Sequence, residues 1–262
     1  MRDKIVAPAD LREVEMRSKI VLAETVHITG FEGDMIEAYS ARCMSDTPTG
    51  GVVVIHHMPG YDRATKEIAR RFAEMGYNAI CPNLHYREAP GGEPDDAAAA
   101  SRAAGGVPDG RLVGDVAGAR KYLLSLSNSN GKVGVIGYCS GGRQSFLAAC
   151  SLEFDAAVDC YGAFIVTPPG SDSPLQVKPV IDLAPNLSCE LLGLFGADDK
   201  YPSPAEVEEL SKVLKENGKA HRFHSFEGAG HAFFAVDRPS YRVEAASQGW
   251  GLISDFFSEK LG

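Results

Sequence analysis

Residues 132–142 read KVGVIGYCSGG, and the fold is decided in this stretch. Lys132 to Tyr138 reads as a strand and Gly141 to Leu152 as a helix. Between them Gly137, Tyr138, Cys139, Ser140 and Gly141 form a glycine-x-nucleophile-x-glycine string, with Cys where Ser is usual. Glycine answers a steric need there, because so tight a turn leaves no room for a Cβ on either flank. The turn lifts Cys139 above the strand ends, at the start of the next helix, where the helix dipole and free N–H groups favour a thiolate. Ser140 is one residue out of place as a nucleophile, and its backbone N–H is expected to serve as an oxyanion donor.

Strands and helices alternate on both sides of this turn. Upstream, Lys19 to Thr29 and Asp34 to Ala41 read as a hairpin around Gly30-Phe31-Glu32-Gly33. Gly51 to His57 is a β-branched run suited to a strand buried on both faces, and Arg63 to Met75 places Ile68, Phe72 and Met75 on one helical face. Asn78 to Pro82 is the next strand, and 88–110 reads as a loop with an alanine-rich helical turn in its middle. Leu112 to Leu126 has helical spacing. Downstream come strands at Ala156 to Tyr161, Glu190 to Phe195 and Ala220 to Phe226, with helices at Pro204 to Glu216 and Tyr241 to Lys260. The expected fold is α/β: a mostly parallel sheet covered by helices on both faces, with an N-terminal antiparallel hairpin supplying edge strands. No linker splits the series and no fixed period repeats, so residues 1–262 are expected to form one domain with an N-terminal extension over 1–18.

The 262 residues carry 26 Lys and Arg against 35 Asp and Glu, a formal net charge of −9. That balance, without a basic run, argues against nucleic acid and anionic membranes as partners. The charged start has no apolar core of a secretory signal, and no apolar run approaches the ~18 residues of a spanning helix, so a cytoplasmic location is expected. The expected assembly is a monomer or small homo-oligomer, with a small molecule rather than a macromolecule as the expected partner. Of the six cysteines, Cys81, Cys150, Cys160 and Cys189 lie in or beside apolar stretches and read as buried filler. Finger-like Cys/His spacing is absent, so no metal site is expected.

Two further loops complete a chemical constellation. After ELLGLF comes Gly196-Ala197-Asp198-Asp199, a strand-end loop with two carboxylates, and after the strand ending near Phe226 comes Gly228-Ala229-Gly230-His231. Nucleophile, acid and base thus follow in the order used by α/β-hydrolases, each after a later strand. A carboxylate can hold one nitrogen of His231 while the other faces the thiol.

From about Ile28 to Phe257 the chain resembles the dienelactone hydrolase family of α/β-hydrolases. The resemblance is carried by GVVVIHHMPG (51–60), AICPNLHYREAPG (79–91), GKVGVIGYCSGGR (131–143), GLFGADDKYPSP (193–204) and GAGHAFF (228–234). It implies hydrolysis of dienelactone, a five-membered enol-lactone, to maleylacetate by a Cys-His-Asp triad with no cofactor. By this likeness Asp199 is the acid, with Asp198 as the alternative, and the Met58 N–H is the second oxyanion donor. Arg87 falls on the family arginine that pairs with the substrate carboxylate, a task suited to the guanidinium fork.

The chain departs from the family at two places. A glutamate that touches the resting thiol is replaced by His57, which either forms an imidazolium partner for Cys139 or, like His56, packs at the strand end. A second family arginine, four residues after the catalytic histidine, is replaced by Ala235, with Arg238 three residues further on. Tyr86, Tyr138 and Tyr161 are candidates to line the pocket. The absent arginine favours a general carboxylesterase or thioesterase as the competing reading. A redox-sensing thiol is a second competitor, which leaves Asp199 and His231 unexplained.

Overall fold

The computed structural model describes residues 20–262, so the expected extension over 1–18 lies outside it. Eight strands form one sheet in the order β1-β2-β4-β3-β5-β6-β7-β8. They are β1 (Val21–Thr29), β2 (Met35–Cys43), β3 (Thr49–Ile55), β4 (Asn78–Pro82), β5 (Ser129–Tyr138), β6 (Ala156–Cys160), β7 (Leu191–Gly196) and β8 (His221–Phe226). From β4 through β8 all neighbours are parallel, whereas β1–β2 and β2–β4 are antiparallel. The hairpin is thus as expected, but of its two strands only β1 lies at the sheet edge, because β2 is zipped on its other side to β4.

The central strands are apolar at successive positions because each face meets its own helical layer. Val53 and Ile55 of β3 join the core with Leu112, Val116, Ala119 and Leu123 of α3 (Asp109–Ser125), with α4 (Ser140–Ser151), and with Leu210 and Leu214 of α5 (Pro204–Glu216). Val52 and Val54 point the other way, to Phe72 of α1 (Arg63–Met75) and Ile253, Phe256 and Phe257 of α6 (Val243–Leu261). Period-two alternation along one strand therefore divides the interior into two cores.

The stretch 88–110 departs from expectation. It holds a full helix, α2 (Pro94–Ala103), and α3 begins at Asp109 rather than Leu112. Pro94 in the first turn, followed by Asp95 and Asp96, with Arg102 in the last turn, matches the backbone and charge preferences of helix ends. Ala97 and Ala98 then face inward.

The C-terminal ends of β3, β5, β6, β7 and β8 lie side by side, pairing Ile55 with Gly137, Tyr138 with Cys160 and Gly196 with Phe226. All three loops singled out in the sequence leave from this edge. A Cβ on Gly137 would overlap the Gly141 carbonyl, and one on Gly141 would sit 2.5 Å from the Ile55 carbonyl oxygen. Gly137→Ala is expected to lose ~2 kcal/mol or more of stability, read as a lower midpoint in urea unfolding. A wild-type midpoint would show that the turn relaxes without cost.

Candidate active site

Cys139 caps the N-terminus of α4 with φ 57 and ψ −119, a region that side-chain-bearing residues rarely occupy. Its N–H donates to the Cys160 carbonyl at 3.0 Å, tying the turn to the end of β6. Ser140 opens α4, so its N–H precedes the helical ladder. Beneath the turn lies Asp159, fully buried, with Oδ1 accepting from the Gly162 N–H at 2.7 Å. Burial pushes its carboxyl up to about 7, against the opposing pull of that N–H and of His231.

The loops after β7 and β8 meet over Cys139. His231 Nδ1 lies 2.9 Å from Asp199 Oδ2, and its Nε2 lies 3.0 Å from Cys139 Sγ. Asp199 is buried and its Oδ1 also accepts the Tyr201 N–H at 2.9 Å, whereas Asp198 is exposed. Tertiary structure therefore selects Asp199 from the two adjacent carboxylates. Burial alone would lower the His231 pKa, but hydrogen bonds to Asp199 and Cys139, with the charge on each, raise it to about 10. The imidazole is thus favoured in its protonated form across the neutral range, presenting an N–H to the sulfur. The ring is held laterally by Tyr161, edge-to-face at 5.2 Å.

The two histidines after β3 have different surroundings. His56 is buried, with Nδ1 2.8 Å from the His57 carbonyl, and its Nε2 accepts the Leu84 N–H at 3.2 Å. Burial and the nearby His85 keep it well below the ordinary histidine value. It packs and hydrogen-bonds as a neutral ring, one of the two expected roles. His57 instead meets Asp62, Nε2 to Oδ2 at 2.7 Å. Burial would raise the Asp62 carboxyl, but the His57 contact and the Thr65 N–H hold it at about 2. The sulfur's hydrogen-bond partner is His231, not His57. Asp62 was legible in the sequence only as the residue before a helix, and it does cap α1.

Arg87 stands away from the expected role. Its NH1 and NH2 donate to the two oxygens of Asp115 at 2.8 and 2.9 Å, and Nε donates to Asp34 at 2.9 Å. Asp115 has no exposed side-chain surface, so its charge needs this fork, and the guanidinium is engaged by protein carboxylates instead of facing the cavity. Glu88 pairs with Arg111, not with Arg87.

A cavity of about 470 Å³ has His57, Tyr138, Tyr161 and Ala235 in its lining, whereas Cys139, Ser140, Asp199, His231, Met58, Tyr86, Arg87 and Arg238 are outside it. Tyr161 bridges it to His231, and Ala235 leaves space in the wall. Met58 follows His57 in a turn closed by the Gly60 N–H on the His57 carbonyl at 2.9 Å. Among the described residues no cluster of His, Cys, Asp or Glu could hold a metal, and no helix is long and apolar enough to cross a membrane.

A mostly parallel sheet sandwiched by helices, with a tight strand–turn–helix elbow after β5 and the loops after β7 and β8 meeting over it, is the α/β-hydrolase fold. The profile of the dienelactone hydrolase family matches residues 36–261. A protein of Escherichia coli (strain K12) provisionally named carboxymethylenebutenolidase is 32% identical over 241 residues, covering 88% of this chain and 85% of that one. The carboxymethylenebutenolidase of Pseudomonas putida is 28% identical over 237 residues, covering 87% and 92%. The crystal structure of a provisionally named dienelactone hydrolase from Klebsiella pneumoniae subsp. pneumoniae MGH 78578 superposes with a TM-score of 0.81 at 28% identity, covering 92% of this chain and 99% of that one. The chain belongs to the dienelactone hydrolase family and is an ester hydrolase of that class.

Two measurements test this geometry. With the His231 pKa raised from 6.5 to about 10, its protonated form is favoured in the folded protein, an effect complete below 6.5 and lost as pH rises through about 10. The ring proton signals of His231, identified by their loss in His231→Gln, are therefore expected to titrate near pH 10 in NMR spectra, and a midpoint near 6.5 would overturn the pairing. Arg87→Met strands the Asp115 charge and is expected to cost about 3–5 kcal/mol in urea unfolding; wild-type stability with a raised KM would restore Arg87 to the substrate.

Proposed function

We propose that the protein hydrolyses a lactone or carboxylic ester without a cofactor, through Cys139 as nucleophile, His231 as base and Asp199 as the acid that orients it. The observation that carries this reading is the unbroken chain from Asp199 through His231 to the Cys139 sulfur, at 2.9 and 3.0 Å. A protonated His231 facing the sulfur supports a thiolate–imidazolium resting pair.

The thiolate attacks the carbonyl carbon, and the negative oxygen is stabilised by the N–H groups of Ser140 and Met58. Collapse of the tetrahedral adduct breaks the carbon–oxygen bond of the ester. The departing alkoxide or enolate takes its proton from His231, leaving a thioester on Cys139. His231, now neutral, removes a proton from water as the oxygen attacks the thioester, and the second adduct expels the thiolate. Asp199 fixes the ring throughout, with Nδ1 bound so that Nε2 faces the sulfur. A lactone keeps its leaving group tethered and yields one product. For dienelactone that product is an enol, which ketonises to maleylacetate. The triad requires only groups that the chain supplies.

Following the ultraviolet absorbance of dienelactone, and proton release from vinyl acetate, tests the reading. Cys139→Ala and His231→Ala should each lower turnover by about 10³-fold or more, and Asp199→Asn by about 10²-fold or more, because the three act as a unit. Undiminished turnover in Cys139→Ala would sink the thiol mechanism. Turnover of vinyl acetate with none of dienelactone would retain the triad and reject the lactone.

A further inference from the structure

The cavity beside the triad, taken with the function just proposed, says what kind of ester the site accepts. Tyr161 joins it to the chemistry, lining the cavity and packing edge-to-face on His231 at 5.2 Å. At about 470 Å³ it is of the size that holds whole small molecules, ~300–1,000 Å³. Its apolar wall is built by Ile68 of α1, Phe234 of the histidine loop and Trp250 of α6, the last two edge-to-face at 5.8 Å. Such a surface gains most from a flat ring.

Charge around this wall runs the other way from that of an anion site. Among the described residues Glu67, Glu74 and Asp237 border the cavity together with Arg71 and with His57, which is bound to Asp62. Arg70 neutralises Glu67, which leaves two carboxylates beside one guanidinium. That guanidinium sits over Trp250, its Cζ 3.9 Å from the ring centroid, so the wall already engages it. A carboxylate entering here meets like charge, within a protein whose formal net charge is −9.

We infer that this cavity binds the ring-sized, uncharged part of an ester or lactone and discriminates against substrates that carry a carboxylate. The favoured substrates are therefore neutral aryl or cycloalkyl esters and lactones, ahead of carboxylated ones such as dienelactone.

The test compares 2-naphthyl acetate with its 6-carboxy derivative, using vinyl acetate as an ester too small to use the cavity. The neutral naphthyl ester should show the higher kcat/KM by about tenfold at low salt, and the gap should narrow as salt screens the rim. In a Glu74→Gln, Asp237→Asn double variant, altered only at exposed positions, the carboxylated ester should gain and the neutral one hold within about twofold. Ala235→Trp should fill the cavity and lower the kcat/KM of the naphthyl ester about tenfold relative to that of vinyl acetate. Equal or faster turnover of the carboxylated ester would overturn the inference and make Arg71 an anion anchor. An Ala235→Trp variant that slows both neutral esters alike would overturn the cavity's role. Loss of Cys139-dependent turnover of vinyl acetate in the wild type is a different failure, which removes the triad reading underneath.

Discussion

Cys139 occupies a backbone conformation, φ 57 and ψ −119, that a residue with a side chain holds only when its surroundings insist. Here they insist from three sides. The ends of β3 press on Gly141 through the Ile55 and His56 carbonyls, Gly137 lies against Gly141, and Asp159 fills the space beside Gly142. Because the strand must become a helix within one residue, the thiol has no retreat into the core and stands at the edge where the β7 and β8 loops also end. The rest of the proposed mechanism depends on this crowding. A relaxed turn would let Cys139 adopt ordinary helical angles and carry Sγ away from His231.

Around that turn, ionisable groups are buried in pairs, and each pair has its own reason. His231 and Asp199 hold each other near the sulfur, and the pairing outweighs the burial that would otherwise discharge the ring. Arg87 and Asp115 do the opposite kind of work. They compensate a charge fully removed from water and pin the loop after β4 to α3. Asp62 serves twice, as helix cap through the Thr65 N–H at 2.8 Å and as the partner of His57. Asp159 is the unpaired case: burial raises its carboxyl against the Gly162 N–H and the more distant pull of His231.

Specificity belongs to a different part of the fold from reactivity. The proposed triad stands on strand ends, whose spacing the sheet fixes by backbone hydrogen bonds. The cavity wall comes from α1, the histidine loop and α6, which can vary without disturbing that spacing. This separation is how a chain can keep a family's reacting groups and yet present a differently charged pocket. Ala235 in the wall, where the resemblance places an arginine, is one local change of that sort.

The β-branched runs at Val52 to Ile55 and Val133 to Ile136, and the order Cys139, Asp199, His231 along the chain, were legible because they depend on local pattern and on the order of strands. The helix at Pro94–Ala103 was half-seen, since its alanines carry no periodic stripe and its stability comes from end charges and packing. Only tertiary structure could choose Asp199 over its neighbour Asp198, because adjacent side chains in a loop are equivalent until one is turned into a contact. It also had to decide the fate of Arg87 and His57. Sequence shows that a guanidinium or an imidazole is present, but not whether a carboxylate 28 residues away, like Asp115, has already claimed it. The alternation of local residue types thus determined the sheet and the order of the reacting groups. Long-range pairing of ionisable side chains decided which groups meet at the Cys139 sulfur.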